Sequence, residues 1–230
     1  MRVPIVDRPD RGRRVQQRIY ADRPQCVAVV GDPRIGKSSF LRRLVESAEA
    51  GDPSPPPGAR FVELALREGE AGSSPEAFLR LAVERAAAAE DTAGPPRESA
   101  APDAADDAQR AYGRFQRLVE SVARDGGRLI LLLDDFDKVT GSAAFPIQFF
   151  SFLRSLANNF PVAYVTTSRL DLQRLCALKE VEESPFFNIF QNVSLGPMDE
   201  PQVREMVAAR APADAGAVGD WAVEESGGLP

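Results

Sequence analysis

An α/β fold with a mainly parallel sheet is predicted by three observations. Short apolar runs alternate with helical patterns along the chain. The run Leu129–Leu133 is continuously apolar, as in a strand buried on both faces. The segment Gly31-Asp32-Pro33-Arg34-Ile35-Gly36-Lys37-Ser38 fits G-x-x-x-x-G-K-[ST] and lies between an apolar run and a helical pattern. With 230 residues the chain is long enough for one large domain with a sizeable core, or one domain and part of another.

The elements follow in order. A polar helix is expected over 11–20, after the lead-in Val3-Pro4-Ile5-Val6. The first strand is 26–30 and the helix behind the glycine motif about 37–48. Gly51–Gly58, with four prolines, is a loop. The second strand is Phe61–Leu66, and a helix covers about 75–89. Residues 90–107 are rich in Ala, Pro and Asp and nearly free of large apolar side chains, which predicts a flexible insertion without a core. Tyr112, Phe115, Leu118, Val119 and Val122 recur at helical spacing, so 106–124 is an amphipathic helix. Strands at 129–133, 162–166 and 189–195 alternate with helices at 145–158 and 170–178, and helices at 199–210 and 215–226 follow. Five strands in the order 5-1-4-3-2, flanked by helices, form the core. The expected divisions are a lead-in at 1–25, a core at 26–195 and the start of a helical lid at 196–230.

Within the helix at 145–158, Phe145, Phe149 and Phe152 form one stripe, and Ile147, Phe150 and Leu153 form another. One must pack on the sheet. The other is either buried beneath the lid and neighbouring helices or exposed as a partner surface.

Composition removes several classes. Net charge is −6 and pI about 5.0, so no global basic field attracts nucleic acid. Seven arginines nevertheless cluster between Arg2 and Arg23, interleaved with Asp7, Asp10 and Asp22. No apolar run is long enough to span a membrane and no signal peptide is visible, so a cytoplasmic location is expected. Cys26 and Cys176 read as reduced core residues rather than a bridge. There is no histidine, which excludes His-based triads and His-ligated zinc.

The motif at 31–38 reads as a phosphate-binding loop. Glycine lets backbone wrap an anion, and the N–H groups at the following helix start favour negative charge. Only three of the 28 basic residues are lysines, so Lys37 stands out against an arginine background. A compact ammonium fits between phosphates where a planar guanidinium does not. Lys37 is expected on the β- and γ-phosphates, Ser38 on Mg²⁺, and Ser39 within the same binding segment.

The run Leu129–Leu133 ends in Asp134-Asp135-Phe136-Asp137, at the strand edge where ligands bind in open α/β sheets. Asp134 is expected to hold Mg²⁺ through its water shell, and Asp135 to orient the attacking water. Asp137 reads as a turn or cap residue. Thr166-Thr167-Ser168-Arg169 ends the fourth strand, and Arg169 suits γ-phosphate reading. The competing expectation is that Arg169 pairs with Asp171 or Glu180.

The order GDPRIGKSS, LILLLDDFD and VTTSR resembles the STAND class of P-loop ATPases among the AAA+ relatives. Residues 184–207, with Leu195-Gly196-Pro197-Met198, are similar to bacterial members of that class. Pro4-Ile5-Val6-Asp7-Arg8 is similar to its Phe-x-Gly-Arg opening motif, with Asp7 where glycine would stand. Gly227-Gly228-Leu229-Pro230 resembles a lid motif in which the proline, here Pro230, packs near the adenine. The resemblance implies an ATP/ADP- and Mg²⁺-dependent switch with slow hydrolysis, acting through partner chains or self-assembly in bacterial signalling or defence. A DNA-associated ATPase of origin-recognition type and a non-hydrolysing nucleotide scaffold are the alternatives.

Overall fold

Strand β1 (Cys26–Val30) sits inside the sheet because every residue but its last is buried. Alternation sends Val27 and Val29 to one face, Cys26 and Ala28 to the other. The computed structural model describes residues 8–67, 70–88, 104–172, 174 and 185–210. Around β1 stand β2 (Ala59–Ala65), β3 (Arg128–Asp134), β4 (Val162–Ser168) and β5 (Phe190–Ser194), in the order β2-β3-β4-β1-β5. This is the expected order counted from the opposite edge, and all four pairings are parallel. The central β3 and β4 are almost wholly buried, whereas the edge strands β2 and β5 mix buried and exposed positions.

The two faces are built differently. On one, α1 (Pro9–Ile19) and α2 (Lys37–Ala50) cover an aliphatic layer that includes Val27, Val29, Ile130, Leu132 and Val165. On the other, α3 (Pro75–Ala88), α4 (Ala104–Arg124) and α6 (Ile147–Asn159) cover an aromatic layer. The short α5 (Asp137–Thr140) follows β3, and α7 (Glu200–Arg210) follows β5.

Both stripes of α6 are core. Phe145, Phe149, Phe150 and Leu153 are all buried, and Phe152 is half-buried against Tyr112 and Phe115 of α4. Phe149 meets Phe78 of α3, and Phe150 meets Phe186 and Phe187 of a 3-10 turn at Pro185–Ile189. Neighbouring helices and this turn therefore cover the second stripe, which is the buried alternative and not the exposed partner surface. Only Ile147 remains exposed.

Some boundaries move for local reasons. α4 starts at Ala104, so the last four residues of the expected insertion are helical; alanine is the best helix former. α6 starts at Ile147 rather than 145 because Pro146 is extended and proline disfavours helix in the residue before it. β4 runs on to Ser168, because β1 still pairs with Thr167 and Ser168. Cys26 is free and buried, and burial pushes its thiol up to about 12. Cys176, most of the expected helix at 170–178 and all of that at 215–226 lie outside the described residues.

Candidate functional site

The loop after β1 is held mostly by its own backbone. Gly36 has φ +94, a conformation open to glycine and strained for other residues. A Cβ on Gly31 would stand 2.8 Å from the Leu195 carbonyl and 2.9 Å from Ile35 Cγ2, so the close approach of loop and β5 end requires glycine there. Arg34 takes φ +64, an uncommon geometry for a non-glycine residue. Ile35 is fully inserted in the aliphatic layer, so this residue can offer a ligand only backbone. Asp32, Pro33, Arg34 and Ser38 are exposed along the loop, and Ser39 lies half-buried in the first turn of α2.

Lys37 is buried, and its Nζ donates to the carbonyls of Gly31 (2.8 Å) and Asp32 (2.9 Å). An ammonium has three donors, so one is left to point away from the loop. Burial lowers the Lys37 pKa, and the charges of Asp135, Asp137 and Asp134 act against that shift. Those acids therefore lie close enough to be felt at the ammonium. α2 begins with neither a side-chain cap nor an acidic residue in its first turn. Its free N–H groups and dipole suit an anion.

Across the crevice, β3 delivers Asp134 to the carboxyl edge of the sheet. Thr167 of β4 donates its hydroxyl to Asp134 Oδ1 at 2.6 Å, and the Asp135 N–H donates to Thr167 Oγ1 at 2.8 Å. The Phe136 N–H then donates to the Thr167 carbonyl at 2.8 Å. Asp135 adopts φ +56, which costs about 1–2 kcal/mol in a non-glycine residue. The Phe136 ring anchors the turn between Phe150 and Phe186. Burial, and then the charge of Asp134, raise the pKa of Asp135, while Arg67 opposes them. Arg67 Nε lies 3.8 Å from Asp135 Oδ2.

Asp137 opens α5, as its expected turn role implies, but it also faces the site. Arg169 Nε lies 3.9 Å from Asp137 Oδ2, and Asp137 Oδ1 is buried without a hydrogen-bond partner. Asp171, one of the partners expected for Arg169, is not the one seen in this ion pair, and Glu180 lies outside the described residues.

Thr167 and Arg67 were not legible as site residues, and Arg8 was quoted only as part of the opening motif. Thr167 was visible only as part of a polar strand end. Arg67 follows β2 at the same carboxyl edge as Asp134, and that edge rule was the signal available for it. Arg8 is buried and donates to the Gly196 carbonyl at 2.5 Å and the Ile35 carbonyl at 3.2 Å. It thereby ties the start of α1 to both the loop and the segment after β5. A cavity of about 170 Å³ opens beside Arg8, between α1 and α2, and Phe40 and Leu44 line its floor. Pro230 lies outside the described residues.

The site fits Mg²⁺ bound with nucleotide rather than a metal held by protein alone. No group of three or more His, Cys, Asp or Glu side chains converges for a metal among the described residues. Magnesium keeps several waters and needs only one or two protein ligands beside phosphates. Ser38 stands exposed at the start of α2, and Asp134 ends β3 at the carboxyl edge of the sheet.

A parallel sheet of this order, a lysine-bearing glycine loop after β1 and acids at the end of β3 define a P-loop NTPase module. The family described as Novel STAND NTPase 2 matches residues 118–225, from the end of α4 through β3, β4 and β5. This match bears out the resemblance to STAND-class P-loop ATPases. No curated protein matches the chain.

Among solved structures, Aeropyrum pernix ORC2 in ADPNP and ADP complexes is similar at TM-score 0.64 and 14% identity, over 92% of this chain and 54% of that one. The Walker-type ATPase PABY2304 of Pyrococcus abyssi is similar at TM-score 0.63 and 15% identity, over 89% and 57%. Aeropyrum pernix ORC1 in complex with DNA is similar at TM-score 0.59 and 18% identity, over 97% and 57%. At such identity these likenesses show the fold. The chain spans little more than half the length of each.

Proposed function

We propose that the chain binds ATP with Mg²⁺, hydrolyses it slowly to ADP and phosphate, and acts as the nucleotide switch of a bacterial signalling or defence STAND ATPase. One observation carries the reading. Lys37 is locked on two loop carbonyls with a donor to spare, at the start of an uncapped helix and within electrostatic reach of Asp134 and Asp135.

In this reading the loop amides from Gly31 to Ser39 and the Lys37 ammonium hold the phosphates. Ser38 and Asp134 serve Mg²⁺, which supplies neutralisation of charge on the phosphate oxygens. Asp135 accepts a hydrogen bond from the attacking water and orients it in line. Its raised pKa favours proton acceptance over that of an ordinary solvent-exposed aspartate. Arg169 leaves Asp137 for the γ-phosphate, so an empty site and a triphosphate-filled site differ in where one guanidinium sits. Phosphoryl transfer asks little of a protein beyond such positioning and charge stabilisation. The base would extend from the loop toward Arg8 and Phe40, and Pro230 would close over it.

The test is ATP binding with and without Mg²⁺, followed by phosphate release, with Lys37→Ala as control. Binding with release above the control supports the reading. Binding with release equal to the control leaves a nucleotide scaffold. No binding removes the site.

A second reading is association with DNA, as in an origin-recognition type ATPase. One observation favours it: α1 carries Arg11, Arg13, Arg14 and Arg18, and none forms an ion pair with a carboxylate among the described residues. Duplex binding that falls steeply with salt would support this, since phosphate contacts release counterions. No helix among the described residues is long and apolar enough to cross a membrane.

A further inference from the structure

We infer that Thr167 is a positioning residue of the nucleotide site, one hydroxyl that sets both the metal-side acid and the water-side acid. This rests on the assignment of Asp134 and Asp135 proposed above.

Thr167 is fully buried at the carboxyl end of β4, between Val29 of β1 and the end of β3. Its hydroxyl is used in both directions. It donates to Asp134 Oδ1, which fixes the rotamer of that carboxylate and leaves Oδ2 for the crevice. It accepts from the Asp135 N–H, which holds that residue in its left-handed conformation. The carbonyl of Thr167 receives the next N–H, that of Phe136. Three consecutive residues of the turn are therefore referenced to one residue of a neighbouring strand. The loss of either hydroxyl bond would let one acid move relative to the other.

The preceding residue supplies the contrast. Thr166 is also fully buried, on the opposite face of β4, yet its Oγ1 has no hydrogen-bond partner. A buried hydroxyl on this strand is thus not bonded by default. Valine has the shape of threonine without the hydroxyl, so the two positions should respond in opposite ways to the same change.

The experiment titrates Mg²⁺ into ATP binding, and measures kcat and KM for ATP at saturating Mg²⁺, in wild type, Thr167→Val, Thr167→Ser, Thr167→Ala and Thr166→Val. Thr167→Val should raise the Mg²⁺ concentration for half-maximal binding by about tenfold and lower kcat by a similar factor, with KM at saturating Mg²⁺ little changed. Thr167→Ser keeps the hydroxyl and should restore both. Thr166→Val should match wild type. If Thr167→Val does not fold, Thr167→Ala carries the same expectation.

A hydroxyl-free variant at 167 with the Mg²⁺ dependence and kcat of wild type would overturn the inference. So would Thr167→Ser as impaired as Thr167→Val. A wild-type protein that binds ATP without any response to Mg²⁺ would instead overturn the Asp134 assignment, and the inference with it.

Discussion

In the loop Gly31–Ser38 the fixed points are backbone atoms. Lys37 bonds two carbonyls of its own loop, Gly36 supplies the left-handed bend, and Gly31 makes room for the end of β5. In the turn Asp134–Asp137 the fixed points belong to other elements. Thr167 of β4 holds three residues, Arg67 beyond β2 faces the Asp135 carboxylate, and Phe136 is wedged into rings from α6 and the 3-10 turn. The first half of the site is shaped mainly within its own stretch of chain, with Arg8 and the end of β5 as outside contacts; the second is assembled from at least four separated stretches of chain. Local mutations should therefore uncouple binding from folding in the loop, and should couple them in the turn.

The largest expected effect tests the support of the turn. Phe149 is fully buried among Phe78, Phe145 and Phe150, so Phe149→Asp puts an unpaired carboxylate in the aromatic layer. The cost exceeds about 4 kcal/mol, a large part of a domain's stability, and circular dichroism should show loss of the fold. A folded variant would mean that this layer does not carry the acid side.

Lys37→Ala should weaken ATP binding by about a hundredfold or more, because charge-assisted bonds to phosphate are lost, while the melting temperature without nucleotide barely changes. A large drop in melting temperature would show that the loop is not shaped mainly within its own stretch of chain. Asp135→Asn should retain Mg²⁺·ATP binding and slow phosphate release by about a hundredfold. Asp134→Asn should instead remove the Mg²⁺-dependent part of the affinity, read by titration with and without the ion. Exchanged phenotypes would reverse the roles of the two acids.

The smallest effect sharpens the boundary of the loop. Gly31→Ala brings a methyl group against the Leu195 carbonyl, and should cost about 1–2 kcal/mol. It should lower both melting temperature and ATP affinity, since loop and β5 must part slightly. If affinity alone falls, the strand end yields and the loop bears the strain.

The same contrast explains what the sequence revealed. Gly31–Ser38 was readable because its determinants are contiguous: a strand, two glycines, a lysine and a helix start in one stretch. The strand order was readable because alternating strands and helices with parallel pairing leave few arrangements. The acids were readable as types at a strand end, but their fixation was not. Nothing in the local pattern says that Thr167 rather than Thr166 faces Asp134, because a one-residue change of register exchanges the faces. Arg169 was readable as a cation at the right edge. Its partner was not, since Asp137 is 32 positions away in sequence and meets Arg169 only through the pairing of β3 with β4. For the aromatic stripes of α6, periodicity identified two apolar faces without saying what covers the second.

The exit of the chain from the sheet has a mechanical consequence. The Leu195 N–H is bonded to the Val30 carbonyl at 2.8 Å, its own carbonyl presses on Gly31, and the next carbonyl, of Gly196, is gripped by Arg8, which also holds Ile35. A tug on the polypeptide beyond Gly196 is therefore borne within two peptide units by the phosphate loop itself. Three residues, 197–199, then lead from Gly196 to α7, so a displacement of α7 has a short path to the loop.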